Sequence, residues 1–152
     1  MHRILVATDG SPASDEAVRF GLELAEEYGA KVYLVHVVPE LHVMPANGFG
    51  GLGGAVPREL TDADSEAVVR AEALADEAGV GTKSAILRGD VVDEIVAFGD
   101  NLAVDLIVVG SRGHGALANA LLGSVSRGVL GESRRPVAVV RAPLADSPPV
   151  AS

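Results

Sequence analysis

The sequence has no cysteine and no tryptophan, and only 3% of it is aromatic. Without thiols there is no disulfide framework, no thiolate nucleophile and no cysteine-ligated metal site. With so few rings, the core has to be built from Val, Leu, Ile and Ala. Lysine is almost absent: Lys31 and Lys83 are the only two. The net charge is −9, from 12 basic and 21 acidic residues, which argues against a nucleic-acid groove lined with clustered Lys and Arg. No apolar run approaches the roughly 18 residues that a membrane span needs. The apolar stretch at the start (RILVAT, residues 3–8) is too short for a signal peptide. These absences lead us to expect a soluble, cytoplasmic protein with no membrane or nucleic-acid partner.

What is present is 48% hydrophobic residues in 152 positions, enough for one folded domain with one sizeable core. Short apolar runs alternate with amphipathic stretches. Strands are expected at residues 3–8, 31–38, 83–88, 105–109 and 136–141. Between the first two, Ser11 and Pro12 open a helix as N-cap and first helical residue. Its apolar face reads as Ala17, Phe20, Gly21, Leu24, Ala25 and Tyr28, with Gly29 as its stop. Thr61 to Asp64 resembles a capping box with Asp in the acidic role. It starts a helix that buries Val68, Ala71, Leu74, Ala75 and Ala78. Asp90 caps a third helix, burying Val92, Ile95, Val96 and Leu102, and a fourth runs over about 124–132.

Alternating strands and helices imply an α/β fold: an open five-stranded parallel sheet with helices on both faces. Right-handed crossovers and five strands suit the flavodoxin-like order 3-2-1-4-5. Residues 1–141 read as a single domain. Residues 39–60, with NGFGGLGG inside, read as a flexible loop, and 142–152 as a frayed tail. In such sheets ligands bind beyond the carboxyl ends of the strands, where the order reverses. Two loops meet there: Asp9-Gly10-Ser11 after the first strand, and GSRGHGALANALLGSVS (residues 110–126) after the fourth.

The second loop carries Gly110, Gly113, Gly115 and Gly123, then Ser124 and Ser126 at the start of a helix. Glycine lets main chain approach a ligand closely. Consecutive N–H groups can form an anion nest, and a helix N-terminus favours phosphate. Arg112, His114 and Arg127 could reach phosphate oxygens. Glycine-rich loops also simply turn, and Ser124 could simply cap the helix, so spacing alone leaves both readings open. Gly113 to Ala118 matches the dinucleotide pattern G-x-G-x-x-A by letter, but only one strand remains after it and no acidic residue ends a following strand to hold a ribose. Neither lysine stands near glycine-rich sequence, which argues against a P-loop.

Gly110-x2-Gly113-x9-Gly123-Ser124 resembles the G-x2-G-x9-G-[S/T] signature of the nucleotide-binding members of the universal stress protein family. ILVATDGS (residues 4–11), LVHVV (34–38) and PVAVVR (136–141) resemble its first, second and last strands. The resemblance implies ATP or another adenine nucleotide as ligand, a homodimer formed through the last strand (residues 137–141), and a role as a nucleotide-dependent regulator. Carried over by position, Ala7 lines the adenine pocket and Val37 meets adenine through its main chain. Asp9 contacts the ribose or adenine end. Gly110, Arg112, Gly113, Gly123, Ser124, Val125 and Ser126 hold ribose and phosphates. From charge alone, Asp9 would repel a triphosphate, so a ribose hydroxyl is its better partner, with Mg²⁺ accompanying ATP as the other species able to stand between them. The last strand is a Val-rich sheet edge, which independently invites a second chain.

Catalysis would need phosphate charge stabilisation and a group to position water. His114 is the one candidate base, and it reads first as a solvated loop residue. His36, in the second strand, reads as a packed core histidine. At most slow hydrolysis is expected. A receiver domain would need a lysine after the last strand, where Arg141 stands, and a flavodoxin would want rings to sandwich flavin. The remaining alternatives are a dimeric interaction module that no longer binds nucleotide, and a weak ATPase.

Overall fold

The computed structural model describes residues 1–43, 54–56, 59–112 and 122–142. The chain runs β1 (Arg3–Ala7), α1 (Pro12–Tyr28), β2 (Lys31–Pro39), β3 (Leu41–Val43), β4 (Gly54–Val56), α2 (Asp62–Ala78), β5 (Thr82–Gly89), α3 (Val91–Leu102), β6 (Leu106–Gly110), α4 (Ser124–Glu132) and β7 (Val137–Val140). β5, β2, β1, β6 and β7 form one sheet in that order, and every pairing in it is parallel. Counting those five strands alone, this is the order 3-2-1-4-5. The addition to the expected plan is a small antiparallel ribbon in which β3 pairs with β4. The two ends of the 39–60 connection therefore carry strand structure. The glycine-rich stretch between them lies outside the described residues.

The alternation of side chains along each strand divides the core into two layers. Ile4, Val6, Val32, Leu34, Leu106 and Val108 pack against α1 and α2. Leu5, Val35, Val37, Ile107 and Val109 pack against α3 and α4. Helix ends follow local chemistry. Ser11 accepts the Ser14 N–H at 3.2 Å. Thr61 and Asp64 close a reciprocal capping box at the start of α2. Asp90 accepts from the Asp93 N–H at 3.0 Å. Gly29 and Gly79 take the left-handed conformation after α1 and α2, as C-terminal stops require.

One helix face differs from the expected one. In α1 the buried stripe is Ser14, Ala17, Val18, Gly21, Leu22 and Ala25, while Phe20 and Tyr28 are exposed. A Cβ on Gly21 would stand 2.6 Å from Val6 Cγ2. The helix lies too close to β1 for any side chain there, so small residues and Leu22 face the sheet and the rings are displaced to the flank. In α2, Leu74 and Ala78 pack at the margin of the core, and Ala67 is buried along with Val68, Ala71 and Ala75. In α3, Ile95 and Gly99 are the buried residues.

Candidate functional site: a crevice at the carboxyl edge of the sheet

β1 ends at Ala7, opposite Val35 of β2, but β2 continues to Pro39 alongside β5. On the other side β6 also outruns β1, reaching Gly110. The short central strand leaves a crevice of ≈ 1260 Å³ between the loops that follow β1 and β6, closed off by the starts of α2 and α4. Ala7, Asp9, Val37, Gly110, Arg112 and the whole of Gly123 to Ser126 stand on its walls. The topology thus brings together residues more than a hundred positions apart. Gly113 and His114 lie outside the described residues, as does most of the apolar stretch at 116–122.

The turn after β1 is internally tied. Asp9 Oδ1 accepts the Ser11 N–H at 2.9 Å and the Ser14 hydroxyl at 3.0 Å. Gly10, with φ 81°, supplies the left-handed turn that this return requires. Asp9 is thereby held at the crevice rather than swinging in solvent. On the β2 side, the Val35 carbonyl accepts from the Thr8 N–H at 2.8 Å. Strand alternation turns the main-chain N–H and C=O of Val37 toward the same side, beyond the last β1–β2 register pair. A ligand there meets peptide groups where the next residue of β1 would otherwise have paired.

The glycine-rich segment is stapled at both described ends. A Cβ on Gly110 would stand 2.7 Å from Ala13 C and 2.8 Å from Ser14 N. Its missing side chain therefore lets β6 and the start of α1 converge; its backbone is not left-handed. Ser111 N–H donates to the Val140 carbonyl at 2.7 Å, and Gly123 N–H to the Ser111 carbonyl at 2.6 Å. The Ser126 hydroxyl is buried and lies 3.0 Å from both the Ser111 and Gly123 carbonyls, so its proton serves the staple. Ser124 is exposed on the first turn of α4. Gly123 begins that helix with no side-chain cap, and the first main-chain bond back to it comes from Arg127. The N–H groups of Ser124, Val125 and Ser126 are the unbonded donors that every helix start presents, and here they belong to the crevice wall.

Three wall residues were not legible as site residues. His36 is buried, as expected of a packed histidine, yet it borders the crevice. Its Nδ1 lies 2.8 Å from the Thr8 carbonyl and its Nε2 2.7 Å from Asp64 Oδ1. Asp64 is both the acidic member of the α2 capping box and the partner of His36. Arg70, also on the wall, pairs at 2.6 Å with the buried Asp15 of α1 and ties the two helices together. The acidic residue three positions after Thr61 was visible in sequence; its second partner, 28 residues away, was not. Main-chain N–H donation from His2 and Arg3 holds the Asp105 carboxyl below its ordinary value, and a hydrogen bond to Asp93 raises that of Glu132. Among the described residues, no three His, Asp or Glu side chains cluster as a metal site, and no helix is long and apolar enough to cross a membrane.

The sequence and the fold have known counterparts. The sequence pattern of the Universal stress protein family matches residues 1–141. A universal stress protein of Methanocaldococcus jannaschii is 35% identical over 143 residues, covering 93% of this chain and 82% of its own. Among solved structures, a universal stress protein in complex with cAMP superposes with a TM-score of 0.69 at 25% identity, covering 93% of this chain and 98% of that one. The universal stress protein of Archaeoglobus fulgidus in complex with dAMP gives 0.65 at 25% identity, covering 92% and 98%. With the family pattern running from the first strand through the last, the chain belongs to the universal stress protein family.

Proposed function

We propose that this protein binds an adenine nucleotide, ATP first among them, in the crevice, and acts in the cytoplasm as a homodimeric, nucleotide-dependent regulator with at most slow hydrolysis. The observation that carries the reading is the pairing, across one crevice, of an uncapped helix start with an anchored aspartate turn. The two ends differ in chemistry. Ala7 and Val37 offer an apolar wall and strand-edge peptide groups suited to a purine. The first turn of α4 offers N–H donors, with Arg112 and Arg127 nearby on the wall, suited to phosphate. Asp9 stands between them, where a ribose hydroxyl is the partner that its charge allows. Two relatives, solved with cAMP and dAMP, carry ligands of the same chemical class.

Magnitudes favour directed donors over the helix dipole. A hydrogen bond to a charged group contributes roughly 1.5–3 kcal/mol, against roughly 0.3–1 kcal/mol for a helix terminus. Any Mg²⁺ is expected to arrive on the triphosphate. Isothermal titration with Mg-ATP, AMP and cAMP tests the reading. Saturable binding in the micromolar to low-millimolar range is expected, and Ala7→Leu, which fills the purine end, should weaken it. Absence of heat from all three ligands up to several millimolar would sink it.

A further inference from the structure

The contacts of His36 constrain where protons can be. A carbonyl oxygen only accepts, so the Nδ1 that lies 2.8 Å from the Thr8 carbonyl must carry hydrogen. The 2.7 Å separation of Nε2 from Asp64 Oδ1 then needs one more proton between them, either on the ring or on the carboxyl. Without it, a ring lone pair faces a carboxylate lone pair in a buried place, which is costly. Asp64 cannot turn away cheaply, because its Oδ2 accepts the Thr61 N–H at 2.9 Å and the Thr61 hydroxyl at 3.0 Å.

We infer that the His36–Asp64 pair is a proton-held latch that fastens the start of α2, one wall of the crevice, to the β1–β2 edge, and that its release at alkaline pH loosens the ligand site. Proton balance is simple. The closed latch holds a proton on Nδ1 and a second one shared between Nε2 and Oδ1. The open state at alkaline pH holds a neutral imidazole and a carboxylate, one proton fewer, and that proton goes to solvent. The closed state binds one more proton than the open one, so its stability falls as pH rises, by at most about tenfold per pH unit. Asp9, Glu66 and Arg70 share the crevice wall with His36 and Asp64; Asp15 pairs with Arg70, Asp62 opens α2 two residues before Asp64, and Arg88 stands on β5 two residues beyond Ile86, the register partner of His36. The acidic residues of α3 and α4 belong to the opposite face of the sheet. His36 leads directly into Val37, and its other contact, Thr8, leads into Asp9, so the latch sits under both ends of the proposed purine and ribose site.

Asp64→Asn distinguishes a titrating latch from a mere brace. Its amide N–H can donate to Nε2 while its oxygen accepts from Thr61, so the contact survives with protons that do not titrate. Hydrogen exchange of the α2 amides, corrected for the intrinsic pH dependence of exchange, should lose protection with rising pH in the wild type and not in Asp64→Asn. His36→Gln, which lacks the ring, should also be flat. AMP affinity, the arm that rests on the nucleotide reading, should fall in parallel in the wild type and hold in Asp64→Asn. Equal exchange slopes in wild type and Asp64→Asn overturn the latch. An exchange slope with pH-independent AMP affinity overturns its coupling to the crevice. If AMP binds at no pH, the nucleotide reading fails and the exchange slopes alone decide the latch.

Discussion

At the scale of single residues, glycines in different elements do different jobs. Gly110 is required by contact: the atoms that its Cβ would meet, at 2.7–2.9 Å, are backbone atoms of Ala13 and Ser14, and backbone cannot rotate away as a side-chain tip can. Gly131, on α4, would place a Cβ with nothing within 4 Å. The same substitution should therefore have opposite signs at the two places. Gly110→Ala should cost at least the roughly 1–3 kcal/mol typical of overpacking. Gly131→Ala should stabilise by up to about 1 kcal/mol, through helix propensity. Urea melts of the two variants check this, and a Gly110→Ala protein as stable as wild type would mean that β6 and α1 can separate without loss.

At the scale of elements, the junction of α3 and α4 concentrates negative charge. Asp90 and Asp93 suit the positive end of α3, whereas Glu132 adds a carboxylate to the negative end of α4. The hydrogen bond with Asp93, desolvation, and the charges of Asp93 and Asp90 raise the Glu132 pKa above its ordinary 4.5. The folded state thus binds this proton more tightly than the unfolded chain, and the fold loses stability as pH rises from 4.5 through the raised value. Glu132→Gln should melt higher than wild type near neutral pH, with the difference vanishing as pH falls below 4.5. Thermal melts across that range decide it. How far elements were legible follows the same logic of local against long-range causes. Ser11, Thr61 with Asp64, and Asp90 mark helix starts because a cap is a contact across three residues. The α1 face was not legible, because Phe20-Leu24-Tyr28 and Val18-Leu22-Ala25 form two overlapping apolar stripes. The choice between them is made by the close approach of Gly21 to Val6, a tertiary fact. The crevice position followed from strand order, whereas its α2 wall and the His36–Asp64 pair depend on side chains meeting across 28 residues.

At the scale of the whole molecule, β5 and β7 are the edge strands of the sheet among the described residues, and the proposed homodimer uses the second. The main-chain directions in β7 are set by its partner: the carbonyls of Pro136 and Val140 accept from Ile107 and Ser111. By alternation, the peptide groups of Val137 and Val139 face outward. A second copy that adds a strand there must bond to those groups. Proline at 139 removes an outward donor while leaving the β6 side of the ladder intact, and edge strands tolerate proline for this reason. Val139→Pro should therefore convert the dimer to monomer in sedimentation equilibrium, with the far-ultraviolet circular dichroism retained. A lysine at 139 would be a weaker test, because its long stem can bend away from the edge. If the proline variant stays dimeric and folded, the association runs through another surface, and the flank of α1 where Phe20 and Tyr28 stand exposed becomes the place to look.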